Sequence, residues 1–256
     1  MKKIIIAAIA LLLLLAVAVA LVVLRPPEEA SGPIEAIPLE LVTEAVPAAA
    51  LTEAPTPDSG DNAPVATAAA TAVPSTAGTV VIFQISPADS QVRFELDEDL
   101  RGSRVTVVGT TDQVAGEIAV NLADLAQTQV GVIQINARTL ATDNNFRNRA
   151  IQNEILDTGA NEFITFTPTA VNGLPPSATV GDTLTFTIDG DLTIRDITRP
   201  VTFTIEATVI SETQISGSAS TIITRGDYGL IIPNVPNVAN VEEEVELYIT
   251  FVANAS

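Results

Sequence analysis

The stretch "TLTFTIDGDLTIRDITRPVTFTIEATV", Thr183 to Val209, constrains the fold of this chain more than any other. Leu184, Phe186, Ile188, Leu192 and Ile194 alternate with Thr or Asp before a charged break, and Val201, Phe203, Ile205, Ala207 and Val209 alternate after it. Successive side chains of a strand point to opposite faces, so strict alternation makes one face apolar and the other wet. That is the pattern of antiparallel sheet, not of helix. The break, Arg195-Asp196, has the two-residue length that type I′ and II′ turns connect. Asp tolerates left-handed backbone at the second turn position better than most residues. Read as a catalytic loop the break is empty, because no nucleophile has a base beside it. A hairpin is predicted, with Pro200 at an edge or a position free of ladder bonds.

The same period recurs in "VELYITFVA", where Val245, Leu247, Ile249 and Phe251 alternate. Further strands are predicted near 80–86, 91–97, 104–109, 114–121, 130–136, 163–170 and 214–224. Eight or more closely spaced strands between Thr79 and Ser256 make one all-β domain, a barrel or a sandwich. Its inward set is predicted as Phe94, Ile133, Ile135, Ile164, Phe166, Phe186, Ile188, Leu192, Phe203, Ile222, Leu247, Ile249 and Phe251. On these residues alone a filled interior is the stronger expectation, because small barrels fill readily. One stretch breaks the period. "TDNNFRNRAIQNEIL" sets Phe146, Ala150, Ile151 and Ile155 on a helical stripe, with Thr142 or Asp143 as its cap, and predicts a short amphipathic helix.

Ahead of this domain the chain changes character twice. Lys2 and Lys3 precede 21 uninterrupted apolar residues, Ile4 to Leu24. At helical rise that run covers about 31 Å, the thickness of a bilayer core. Ala-x-Ala cleavage patterns at 16–18 and 18–20 lie inside the run, so its length favours an uncleaved membrane anchor over a signal peptide. The two lysines then leave everything after Arg25 outside the cytoplasmic membrane. Signal cleavage would instead leave a secreted domain. Residues 26–78 are rich in Pro, Ala, Thr and Glu with no lasting period, and are predicted as a disordered linker or stalk.

Composition removes several functions. The chain has no cysteine and no histidine, so thiol catalysis, disulfides, His-ligated metals and a Ser-His-Asp relay are excluded. A net charge of −19 repels phosphate backbones and makes nucleic acid a poor partner. The acidic runs at 97–99, 189–191 and 242–244 lack the ligand spacing of a calcium loop and read as solvated turns. No metal, cofactor or catalytic site is predicted, and oligomeric state is not legible.

The residues also carry a resemblance. "GDLTIRDITRPVTFTIEA" resembles the L-T-I-x-G-x-T-[RK]-P-V signature of the YceI-like family of bacterial envelope proteins. "FQISPADSQVRFEL", "LATDNNFRNRAIQNEIL", "NEFITFTPTAV" and "ITRGDYGLII" resemble further family segments in the right order, together covering nearly all of 80–254. The sequence departs from the family at Asp89-Ser90, at Arg147-Asn148 and at Asp196, and all the family's histidines are missing. The resemblance implies an extended eight-stranded antiparallel, lipocalin-like barrel around a long apolar tunnel for a polyisoprenoid or related amphiphile. Under it the expectation of a filled interior reverses. It implies no catalysis.

Candidate ligand-binding residues are then Phe94, Phe146, Ile151, Ile155, Phe166, Phe186, Ile188, Leu192, Phe203, Tyr228 and Leu230, with Arg147 and Arg225 as head-group contacts. Phe146, Ile151 and Ile155 either close one end of the tunnel or plug it. Tyr228, Leu230, Ile231 and Ile232 form an unusually apolar loop that suits an entrance or a membrane contact. The implied partner is an isoprenoid lipid or quinone, with the membrane reached through the N-terminal helix. The competing reading is a stalked structural or adhesion domain with a filled barrel and a surface partner.

Overall fold

The computed structural model describes residues 26–41 and 78–256. The run Ile4–Leu24, read as anchor or signal, and most of the expected linker lie outside the described residues. Among those described, no helix is long and apolar enough to cross a membrane.

The domain is all-β. Its strands are β1 (Val81–Ile85), β2 (Gln91–Leu100), β3 (Ser103–Thr111), β4 (Val114–Ala115), β5 (Glu117–Val120), β6 (Gln129–Val130), β7 (Ile133–Asn136), β8 (Phe163–Asn172), β9 (Thr183–Ile194), β10 (Ile197–Ser211), β11 (Gln214–Thr224), β12 (Val238–Ala239) and β13 (Glu244–Ala255). One short helix, α1 (Asn145–Ala150), stands between β7 and β8. All the strands join one strongly curled sheet in which every pairing is antiparallel. β13 pairs with β11 along one side and with β2 and β1 along the other. β2 pairs with β3 and β1 with β5, while β4 and β5 take up β7 and β6. From β7 the pairing passes through β8, β9 and β10 to β11. Register shifts at Pro168/Ala170 and Val209/Ser211 add local bend and twist.

The charged break is a hairpin, with Ile197 paired to Ile194 across two turn residues. The positive φ of 58° falls on Arg195, the first turn residue, and not on Asp196 as the sequence suggested. A single left-handed residue at the first position is the II′ pattern, which matches the twist of the flanking strands. At the β2–β3 turn both Arg101 and Gly102 have positive φ, 53° and 81°, the I′ pattern.

Three expectations are corrected. Ile222 faces outward, 59% exposed, because two adjacent isoleucines cannot share one strand face. Ile223 turns inward opposite Val245, while Ile222 sits opposite Glu246. The helix is capped by Asn144, whose Oδ1 accepts from the Phe146 and Arg147 amides at 2.8 and 3.2 Å, rather than by Thr142 or Asp143. It continues as one π turn, Ile151–Ile155, and its stripe does not pack as a unit: Ile151 is buried and Phe146 is 78% exposed.

The third correction concerns residues 26–41, expected to belong to a free linker. They lie against the domain and bury Ile34. Ser31 donates its amide and hydroxyl to Glu162 Oε1 at 2.8 and 3.0 Å, and the Leu39 amide donates to Glu117 Oε2 at 2.7 Å. Arg138 pairs with Glu28 at 3.1 Å and donates to the Glu29 carbonyl. Burial alone would raise the Glu162 carboxyl. The Ser31 amide, Asn136, the Ser31 hydroxyl and Arg138 outweigh it and hold that carboxyl below its ordinary value.

Candidate functional site

The inward faces of the sheet enclose a cavity of about 780 Å³. Its wall is built by the alternation itself: Phe186, Ile188 and Leu192 from β9, Phe203 and Ile205 from β10, Leu247 and Ile249 from β13. Phe166 and Phe203, both in the wall, meet edge to face, ring centroids 4.9 Å apart. Two glycines make room for aromatic rings. Phe94 lies over Gly109, its partner on β3, and Phe166 lies over Gly190, where a Cβ would come within 2.5 Å of the ring. The interior is therefore lined rather than filled, against the expectation drawn from the residues alone.

The cavity reaches the surface at the end of the sheet that carries α1, the β2–β3 turn and the loop 229–243. Phe146 and Arg101 border it while exposed to solvent, so this end is its mouth. Just inside, Glu98 projects inward from β2 and is only 6% exposed. Arg147 of α1 pairs with it, Nη2 to Oε1 at 2.9 Å, and also holds Asp143. A buried carboxylate is tolerated where a cation and hydrogen bonds compensate its lost hydration.

Most of the sequence-predicted site residues come together here. Phe94, Phe146, Ile151, Ile155, Phe166, Phe186, Ile188, Leu192, Phe203, Leu230, Arg147 and Arg225 all border the cavity. Tyr228 does not. It is packed outside the lining, 1% exposed, and its hydroxyl has no hydrogen-bond partner among the described residues. Burial pushes its phenol up to about 12, with Arg199 opposing and Asp227 assisting. Arg225 is committed to structure: it donates to the carbonyls of Glu242, Leu230 and Val241 and pairs with Glu243, clamping the loop. Arg147 is likewise held by two carboxylates.

Glu98 is the cavity-lining residue that sequence reasoning missed. The run Asp97-Glu98-Asp99 reads as a solvated turn, yet it lies within β2. Parity with Val92, Phe94 and Leu96 turns Glu98 inward, while Asp97 and Asp99 face Arg104 outside. The signal was the alternation, overridden by charge.

A curled antiparallel sheet wrapped round an apolar cavity defines an all-β, cavity-enclosing class of protein. A sequence model of the YceI-like domain matches residues 83–253, and the chain belongs to that family. Solved structures share the fold. A polyisoprenoid-binding domain from Saccharophagus degradans, implicated in plant cell wall breakdown, is 14% identical with a TM-score of 0.55, covering 70% of this chain and 100% of its own. BcnA from Burkholderia cenocepacia is 17% identical with a TM-score of 0.53, covering 66% of this chain and 99% of its own. A comparison with curated protein sequences gives no match.

Proposed function

We propose that this YceI-like domain holds the apolar chain of an isoprenoid or similar amphiphilic lipid in its cavity, outside the cytoplasmic membrane, and performs no catalysis. The observation that carries the reading is the open, almost wholly apolar cavity of about 780 Å³, within the range of small-molecule sites. The structural likeness to a polyisoprenoid-binding domain supports it. The strand pairings support an eight-stranded barrel: β1 with β2 acts as one strand, β3 to β5 as another and β6 with β7 as a third, and with β8, β9, β10, β11 and β13 they complete a circuit. Each buried CH₂ contributes about 0.8 kcal/mol, so a few isoprene units suffice for affinity without a charged clamp. That suits a chain lacking the family's histidines.

The ligand-contacting set is Phe94, Phe166, Phe186, Ile188, Leu192 and Phe203 in the wall, with Ile151, Ile155, Phe146 and Leu230 towards the mouth. The head group is uncharged. Arg147 and Arg225 are already paired with carboxylates, and Glu98 stands inside the rim, so a phosphate drawn past the rim would meet a buried carboxylate whose own cation is already engaged. A quinone or alcohol head meets no such penalty. Solvent extraction of the purified full chain followed by mass spectrometry, with a native-mass titration against an isoprenoid quinone, tests this. One ligand per chain, binding saturably, is expected. No recovered lipid and no saturable binding by folded protein would end the reading.

A further inference from the structure

We propose that the mouth of the cavity docks on an anionic lipid bilayer, so that the site opens directly towards the membrane. Three independent observations converge on this face. The first is exposed apolar surface: Phe146 on α1 and Ile231 on the neighbouring loop are each 78% exposed, and Val235 lies beside them. Large apolar side chains gathered at the opening of an apolar cavity mark a contact surface rather than scattered exposure.

The second is charge. The residues bordering the cavity include four arginines, Arg101, Arg147, Arg149 and Arg225, against two carboxylates, Glu98 and Glu154. With Arg104 and the five carboxylates around the rim counted in, five arginines stand against seven carboxylates, so what this end offers an anionic surface is not net charge but the guanidiniums left unpaired. Arg147 and Arg225 are ion-paired, whereas Arg101 and Arg149 form no ion pair among the described residues. Around them, Asp97, Asp99 and Glu242 are taken by Arg104, Glu243 by Arg225 and Asp143 by Arg147. Two free guanidiniums beside exposed apolar side chains match a surface with anionic phosphates over hydrocarbon.

The third is where the chain arrives. Pro26 follows directly on Arg25 and the apolar run Ile4–Leu24. Glu28 and Glu29 are held by Arg138, which also binds the carbonyls of Thr158 and Gly159, and whose own carbonyl accepts from Gln152 in the π turn. The residues next to the apolar run are thus fastened at the end of the sheet that carries α1 and the mouth. The opposite end, with the β10–β11 turn at Glu212, faces away.

The inference goes beyond the cavity reading and can fail without it. The chain has no cysteine, so one introduced cysteine carries an environment-sensitive fluorophore at a unique position. Full-length protein with Phe146→Cys, Ile231→Cys or Glu212→Cys is labelled and reconstituted in phosphatidylcholine vesicles, with or without phosphatidylglycerol, carrying nitroxide lipids. Quenching at 146 and 231 but not at 212, strengthened by phosphatidylglycerol, is expected. Arg101→Gln and Arg149→Gln should each lower the ratio of docked to undocked protein by about fivefold. Unquenched probes at the mouth, equal quenching at both ends, or indifference to phosphatidylglycerol would overturn the proposal. Extractable lipid with an unquenched mouth would overturn docking and leave the cavity reading standing; a quenched mouth with no extractable lipid would do the reverse.

Discussion

Arg147 Nη2 lies 2.9 Å from Glu98 Oε1, and this pair places a buried carboxylate inside the rim of an otherwise apolar cavity. A buried ion pair is a poor source of net stability, since desolvation offsets most of its attraction. What it does is fix α1 over the mouth and set the sign of the potential that an entering head group meets. Removing one partner is costly: Arg147→Met should destabilise the domain by about 3 kcal/mol, because it strands the carboxylate. Glu98→Gln should cost only about 1 kcal/mol, since Arg147 keeps Asp143 and a hydrogen bond. The same Glu98→Gln should strengthen binding of a polyprenyl phosphate at least about tenfold, a few kcal/mol being typical of like charges in contact near a protein surface. Quinone binding should change little. Paired titrations with the two ligands check this, and equal effects on both would place the head group elsewhere.

The glycine beneath Phe94 gives a second test. A Cβ at Gly109 would overlap the Phe94 ring, so Gly109→Ala must push the ring into the cavity or displace β3. Overpacking of this kind typically costs about 1–3 kcal/mol. Shortened reach for the ligand should accompany it, with affinity for long chains falling more than affinity for short ones. A chain-length series of isoprenoid alcohols on the variant measures the difference. Uniform loss across the series would point to simple destabilisation.

What the sequence made legible follows the period of two. The strand at 214–224 occupies those bounds, and the walls from β9 and β10 appear as the alternation requires, because strand parity is a local property. Glu98 was equally legible by parity, and was lost because three adjacent acids look like a turn. The loop after β11 could be seen to be apolar, but not that Tyr228 turns into packing while Ile231 turns out; irregular backbone has no period to count. Residues 26–41 carry no pattern either. They are held by isolated contacts such as Ser31 to Glu162, 131 residues apart in sequence, which only the fold brings together.

Tyr228 carries a buried hydroxyl without a partner among the described residues, which costs about 1–3 kcal/mol in desolvation. Tyr228→Phe should therefore be neutral or stabilising by about 1 kcal/mol in denaturant unfolding at neutral pH. Its raised pKa adds an alkaline signature. The folded state holds the proton more tightly than the unfolded chain, so stability present below pH 10 is lost as pH climbs towards about 12. The Phe variant should lack that part of the alkaline loss. A marked destabilisation at neutral pH would reveal a hydrogen bond that the packing does not suggest.

The docked N-terminal segment should let go in acid. Glu162 is the point where Ser31, Asn136 and Arg138 converge, and its carboxyl sits below the ordinary value of 4.5 because those donors outweigh its burial. A depressed folded-state pKa means that the contribution is fully present above the unfolded value and is lost as pH falls through the folded one. Protonation would also weaken the Arg138 pair, which holds Glu28 on the same side. Hydrogen exchange should accordingly show the Ser31 amide protected at pH 7 and released as pH drops below about 4.5, before the central amides of β9 and β10. Glu162→Gln keeps an acceptor but removes the charge, and should loosen the segment at every pH. A chain beginning at Gly78 should melt lower than one beginning at Pro26, because it leaves Glu117 and Glu162 without the Leu39 and Ser31 donors and uncovers the surface under Ile34. Equal thermal midpoints for the two chains, with no acid-dependent exchange at Ser31, would mean that the segment contributes nothing to the fold.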